Sequence, residues 1–326
     1  MPSFKAADGE KLSYWDIGQG PVCVMVHGFG MPAFLWLPFV LPLATRYRFI
    51  MPNLRGFGGN HKAPIRHDNV FTQYAHDLHG LIEHLDLKKP NLVGFSMGGC
   101  TSMEYQRLYG FDNIAAYLQV DQAMHVRHTE HGAHGLFGHM QDEWMNTLTT
   151  LIGDMEALGT DNPFDRLPKL QRQRFWDMFS SFTATAFNHP LMRMVTKLAR
   201  HERLIRTVAP TSNWSVYLSC MRGFAQHQPD FRESMATISD KLPVWFFVGE
   251  NSRMYPAEGQ VMATQVVPHA RIVHFKDAGH GLMFDSPVRF VRKLDEFLAH
   301  AARRQRRAKL AHKAASRVMA SEAVSA

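Results

Sequence analysis

Short, continuously apolar runs recur along the chain, and between them the period of the hydrophobic positions changes. Val22-Cys23-Val24-Met25-Val26 is unbroken by any polar residue, the pattern of a parallel strand covered on both faces. Strands are also predicted at Leu12–Gly18, Tyr47–Pro52, Asn91–Phe95, Asn113–Asp121, Leu242–Gly249 and Arg271–Phe275. From Thr72 to Leu85 the spacing becomes helical: Tyr74, Ala75, Leu78, Leu81, Ile82 and Leu85 fall at three- and four-residue intervals, as in an amphipathic helix packed on a sheet. The same reading holds from Pro287 to about Ala302, where Val288, Phe290, Val291, Leu294, Phe297 and Leu298 lie largely on one face. Strands alternating with helices predict an α/β fold with a mostly parallel central sheet flanked by helices.

Residues 122–239 have a different character, with helical periodicity and few strand-like runs. Aromatic residues cluster there, among them Trp144, Phe164, Phe175, Trp176, Phe179, Phe182, Phe187, Trp214, Tyr217 and Phe224. An insertion of this size between two sheet strands reads as a helical lid, which leaves 1–121 and 240–300 as the core. Its methionines, including Met124, Met140, Met145, Met155, Met178, Met192, Met194 and Met221, provide soft packing and candidates for lining an apolar pocket.

Composition narrows this picture only slightly. A chain of 326 residues, 45% apolar and 20% charged, suits one large soluble domain with an insertion. No apolar run approaches the ~20 residues of a membrane span, and the start, Met-Pro-Ser-Phe-Lys, lacks a secretory apolar region, so a cytoplasmic protein is expected. Cys23, Cys100 and Cys220 are odd in number and set among apolar residues, which points to reduced core thiols. The net charge of +7 is localised: residues 301–326 carry Arg303, Arg304, Arg306, Arg307, Lys309, Lys313 and Arg317 against Glu322 alone. The body is therefore close to neutral and no nucleic-acid partner is expected; the tail reads as a frayed helix or a disordered extension.

Chemistry enters at Gly94-Phe95-Ser96-Met97-Gly98, where an apolar strand runs into a helix with a serine at the turn. The flanking glycines fit a sharp elbow, because side chains two positions from the apex would strike the strand or the helix. A helix opening at Met97 turns its free N–H groups toward the elbow, where an oxyanion would be stabilised. Two other stretches, His27-Gly28-Phe29-Gly30 and Gly279-His280-Gly281, each follow an apolar strand. Together these segments resemble the α/β-hydrolase superfamily from about Leu12 to Leu298, most closely its lidded esterase and haloperoxidase-like members.

The resemblance implies a catalytic triad and an oxyanion hole. Ser96 is expected as nucleophile and His280 as its base. The backbone N–H groups of Phe29 and Met97 are the expected oxyanion donors, while His27 is read as a loop anchor. The acid is less direct. Many relatives carry Gly-x-x-Asp after the strand that follows the lid, but the matching residues are Gly249-Glu250-Asn251-Ser252, and a serine cannot hold a negative charge. Asp121, which ends the strand after the elbow helix, is the leading candidate. Glu250 is the alternative, followed by other carboxylates such as Glu130 and Asp277. Asn53 stands where relatives commonly have aspartate, and its segment is read as a structural loop.

His125, His128, His131, His134 and His139 crowd the start of the insertion, but Gly132 and Gly135 interrupt any helical face, so no functional metal is expected. No organic cofactor is expected either. The activity implied is acyl-enzyme hydrolysis of a small, mainly hydrophobic ester, thioester or lactone. Other readings of the same triad are C–C bond hydrolysis, lyase or cofactor-free perhydrolase chemistry, or a slow-turnover small-molecule receptor. Haloalkane dehalogenase and epoxide hydrolase chemistry are disfavoured, since those relatives use aspartate where Ser96 stands.

Overall fold

A computed structural model of the chain describes residues 1–130, 132–188 and 213–324. Its strands are β1 (Ser3–Lys5), β2 (Lys11–Gly18), β3 (Val22–Val26), β4 (Arg48–Pro52), β5 (Asn91–Phe95), β6 (Ala116–Val120), β7 (Val244–Gly249) and β8 (Arg271–Phe275). They form one sheet in the order β1-β2-β4-β3-β5-β6-β7-β8. β1 and β2 run antiparallel to their neighbours, whereas β4, β3, β5, β6, β7 and β8 are mutually parallel. This is the α/β-hydrolase fold.

The continuous apolar runs are explained by burial on both faces. Every residue of β5, β6 and β7 is buried, and successive residues enter opposite cores, as the pleat requires. Val24, Leu92 and Phe246 join one core with Tyr74, Leu78 and Met103. Met25, Val93 and Phe247 join the other with Trp36, Phe39, Phe290, Leu294 and Phe297. The first face carries α2 (Val70–His84) and α3 (Met97–Tyr109), which pack on each other; the second carries α1 (Leu37–Val40) and the terminal helix Pro287–Val324. α2 begins slightly before the first residue of the expected period because Asn69 caps it, its side chain accepting the Phe71 N–H at 2.9 Å.

Between β6 and β7 the described residues hold helices and no strand: α4 (Gln141–Glu156), α5 (Lys169–Ala186), and then Ser215–Arg222 and Arg232–Ala236. Met145, Leu148, Phe175, Trp176, Phe179 and Tyr217 belong to the same core as Val26 and Leu92, so these helices are packed onto the sheet. Met192 and Met194 lie outside the described residues. Among the described residues no helix is long and apolar enough to cross a membrane.

The terminal helix is longer than its apolar face predicts. Packing stops at Ala301, which is fully buried, and the following Arg303, Arg304, Arg306 and Arg307 are exposed. Helical hydrogen bonding nevertheless continues to Val324. The segment is rich in Ala, Arg and Lys, which are strong helix formers, and contains neither Gly nor Pro to end it. The sequence pattern marks the end of packing and not the end of the helix.

The strand-to-helix turn leaves no room for a side chain at Gly94. A Cβ on Gly94 would lie 2.6 Å from the Gly98 carbonyl oxygen and 2.7 Å from the Gly99 Cα, both backbone atoms. Gly94→Ala is therefore expected to lower unfolding free energy by about 1–3 kcal/mol, read as a fall in Tm by calorimetry; an unchanged Tm would contradict this packing.

Candidate active site

The site is assembled at the carboxyl ends of β3, β5, β6 and β7, where open parallel sheets place their ligands. β5 ends at Phe95 and α3 begins at Met97, so Ser96 alone makes the turn. It does so at φ 53° and ψ −122°, a region that costs a non-glycine residue ~1–3 kcal/mol. Both sides of the turn are fastened: Ser96 N–H donates to the Val120 carbonyl of β6 at 3.1 Å, and the Ser96 carbonyl accepts from Gly99 and Cys100 N–H at 2.7 and 3.2 Å. A Cβ on Gly98 would fall against the backbone of Val26 and His27, so glycine is needed for the elbow to sit against β3.

The loop after β8 brings His280 to Ser96. Its Nε2 lies 2.8 Å from Ser96 Oγ, and its Nδ1 lies 2.8 Å from Asp121 Oδ2. Because a carboxylate oxygen only accepts, Nδ1 carries the hydrogen and Nε2 is left to accept from the serine hydroxyl. Ser96, His280 and Asp121 are 7%, 3% and 0% exposed, so little water competes for these bonds. Asp121, directly after β6, also has a left-handed backbone, φ 45°, while its N–H still pairs with Phe247 of β7 at 2.8 Å.

Four donors converge on the Asp121 carboxylate. Gly249 N–H and Gln260 Nε2 donate to Oδ1 at 2.8 and 3.0 Å, and Ser252 Oγ and His280 Nδ1 to Oδ2 at 2.6 and 2.8 Å. Glu250, the alternative acid, is not in this group. It is exposed and faces His274, its Oε1 lying 3.4 Å from Nδ1. The physical reason is the strand's pleat and its pairing: Glu250 N–H is engaged by the Phe275 carbonyl at 3.1 Å, which turns its side chain away from the rim. Asp277 is exposed, and Glu130 lies beside Arg232 on the surface. Sequence reasoning missed Ser252 and Gln260. The signal for Ser252 was its offset from Gly249, the position at which relatives place an acid; nothing marked Gln260.

The two expected oxyanion donors flank the same serine. Met97 N–H is the first of α3 and has no intrahelical partner. Gly28 lies so close that a Cβ there would be 3.1 Å from Ser96 Cβ, which sets the Gly28-Phe29 peptide against the serine. The Phe29 ring is held by Phe57, Phe179, Phe182 and Tyr217 at centroid distances of 5.3–5.9 Å. It forms one wall of an apolar cavity with Phe137, Leu148, Met178, Phe182 and Met221. Of the other methionines, Met145 and Met155 are core residues and Met140 is exposed.

In the histidine-rich stretch, His125 Nδ1 donates to the Arg127 carbonyl at 2.8 Å, and His128 Nδ1 accepts from Gly135 N–H at 3.2 Å. His131 lies outside the described residues. Among the described residues no three His, Cys, Asp or Glu side chains converge as metal donors.

A family model described as the alpha/beta hydrolase family matches residues 23–293. The chain is 25% identical to the non-heme chloroperoxidase CPO-A1 of Kitasatospora aureofaciens, over 91% of this chain and 99% of that protein. It is 23% identical to the 2-hydroxy-6-oxo-2,4-heptadienoate hydrolase of Pseudomonas putida, over 90% and 94% of the two chains. Among solved structures it resembles an esterase from Exiguobacterium antarcticum with a TM-score of 0.71 at 21% identity, covering 91% of this chain and 98% of that one.

His27 anchors the loop that carries Phe29. Its Nδ1–H donates to the Gly28 carbonyl at 2.8 Å and its Nε2 accepts from Leu54 N–H at 3.0 Å. Complete burial pushes its pKa down from 6.5 to about 4, so the folded protein resists a proton that the unfolded chain takes up. This contribution to stability is present above 6.5 and is lost as pH falls toward 4, up to about 3 kcal/mol. Denaturant unfolding across that window should be visibly less pH-dependent in His27→Gln; a slope equal to that of the wild type would contradict the buried neutral imidazole.

Proposed function

The chain belongs to the alpha/beta hydrolase family, and from that premise we propose that it is a serine hydrolase that cleaves a small, apolar carboxylic ester, thioester or lactone through an acyl-enzyme. The observation that carries this reading is the relay Ser96 Oγ to His280 Nε2 and His280 Nδ1 to Asp121 Oδ2, both at 2.8 Å and both buried. His280 takes the proton as Ser96 attacks the carbonyl carbon. The N–H groups of Phe29 and Met97 receive the oxyanion, and Asp121 stabilises the imidazolium. The imidazolium then protonates the leaving group, and water repeats the sequence to release the acid.

In this reading residues 122–239 are the lid; among the described residues, its Phe179, Phe182 and Tyr217 meet Phe29. The small cavity beside Phe29 is lined by apolar side chains, and this lining favours an uncharged, hydrophobic acyl or alcohol group. Exclusion of water there strengthens the oxyanion contacts, because charge is screened less in a medium of low dielectric. A second reading, C–C bond hydrolysis on the same triad, is favoured by the similarity to the Pseudomonas putida hydrolase.

Assays with p-nitrophenyl acetate and butyrate separate these readings. Sustained turnover is expected in the wild type, with loss of it in Ser96→Ala, a fall of about 10⁴-fold in kcat for Asp121→Asn, and no change in Glu250→Gln. Full activity in Ser96→Ala would overturn the proposal. Silence toward acyl esters with cleavage of a vinylogous diketone would favour C–C hydrolysis, and a burst without turnover would favour a receptor.

A further inference from the structure

We infer that Ser252, assisted by Gln260, is a positioning residue that fixes the Asp121 carboxylate toward His280 and sets the pH range in which His280 can act as a base. The inference rests on the serine-hydrolase reading for its meaning in catalysis, and on hydrogen-bond geometry for its physical content.

The hydroxyl of Ser252 has its two roles assigned by its neighbours. Tyr255 N–H donates to Oγ at 3.3 Å, which leaves the hydroxyl hydrogen for Asp121 Oδ2 at 2.6 Å. That is the same oxygen that receives His280 Nδ1–H. Gln260 divides its amide hydrogens between Asp121 Oδ1 and the Tyr255 carbonyl, both at 3.0 Å, so it holds the carboxylate and the Ser252 loop together. The loop is also tied to the one bearing His280, since Asn251 N–H donates to the Ala278 carbonyl at 3.0 Å. Serine at 252 thus shares the acid's Oδ2 with the imidazole.

The consequence for the pH profile has a definite sign. The Asp121–His280 pair acts as a base while it carries one net negative charge, and it loses that ability when it takes up one more proton. Donors directed at the carboxylate favour the negatively charged state. Removing the Ser252 hydroxyl favours the protonated pair, whichever member holds the proton, so the acid limb of the rate profile moves to higher pH.

Other titratable groups face this site. The Tyr255 ring lies 6.4 Å from the His280 ring, and burial pushes its phenol well above its usual range. Burial likewise raises the Cys100 thiol. Asp285 accepts from Gly279 N–H at 2.8 Å, beside His280. Glu250 faces His274, away from the pair. None of these groups is altered by a change at 252.

The test follows two readouts across the acidic to neutral range: labelling of Ser96 by a fluorophosphonate, and the ring nitrogens of His280 by NMR in ¹⁵N-histidine protein. Ser252→Ala should fold normally and shift both midpoints upward by about one pH unit. Gln260→Leu should shift them in the same direction, and Ser252→Thr, which keeps the hydroxyl, should leave them at the wild-type position. Midpoints in Ser252→Ala that coincide with those of the wild type would overturn the inference and leave Ser252 a loop residue. Failure of the hydrolase reading is a different outcome: Ser96 would resist the fluorophosphonate, while the NMR midpoint would still decide the role of Ser252.

Discussion

The carboxylate of Asp121 has no exposed surface, and four hydrogen-bond donors from separate parts of the chain close on its two oxygens. Burying a charged or polar group is costly unless its hydrogen-bonding capacity is filled. Here it is filled only when β7 has paired with β6, the loop after β7 has turned back, the helix around Gln260 has docked and the loop after β8 has delivered His280. Forming the carboxyl-end rim of the sheet and forming the site are therefore one event. The acid could not be satisfied by a partly assembled sheet.

The same rim concentrates backbone strain. Ser96 and Asp121 both hold left-handed backbone conformations without being glycine, on adjacent strands that are themselves linked by the Ser96 N–H to Val120 bond. Each cost is offset by the surrounding core, which contains fully buried β5, β6 and β7. Pre-organisation follows: the hydroxyl, the imidazole and the carboxylate are aligned before any substrate arrives. Next to the elbow, Phe29 packs against Phe179, Phe182 and Tyr217 from the helices between β6 and β7.

Much of this arrangement is legible in the amino-acid sequence, for identifiable reasons. β3 and β8 have the bounds expected from their apolar runs, Val22–Val26 and Arg271–Phe275. The elbow is legible because only glycine fits at positions 94 and 98. His280 stands out among the histidines by lying between glycines after the last strand. The choice between Asp121 and Glu250 is harder, because each directly follows a sheet strand, β6 and β7 respectively, and only the assembled sheet sets Asp121 on His280 and Glu250 on His274. Gln260 is invisible to such reasoning, since a glutamine on a short helix is ordinary until the fold sets it on a buried oxygen. The terminal helix outruns its apolar face because intrinsic propensity, not packing, sustains it beyond Ala301.

If the buried carboxylate organises the rim, its most direct signature is the hydrogen it shares with the imidazole. Proton NMR of ¹⁵N-histidine-labelled protein should contain a low-field Nδ1–H resonance from His280 that persists when Ser96 is replaced by alanine and disappears when Asp121 is replaced by asparagine. A spectrum without that resonance in the wild type, or one in which it survives the loss of the Asp121 charge, would contradict the account.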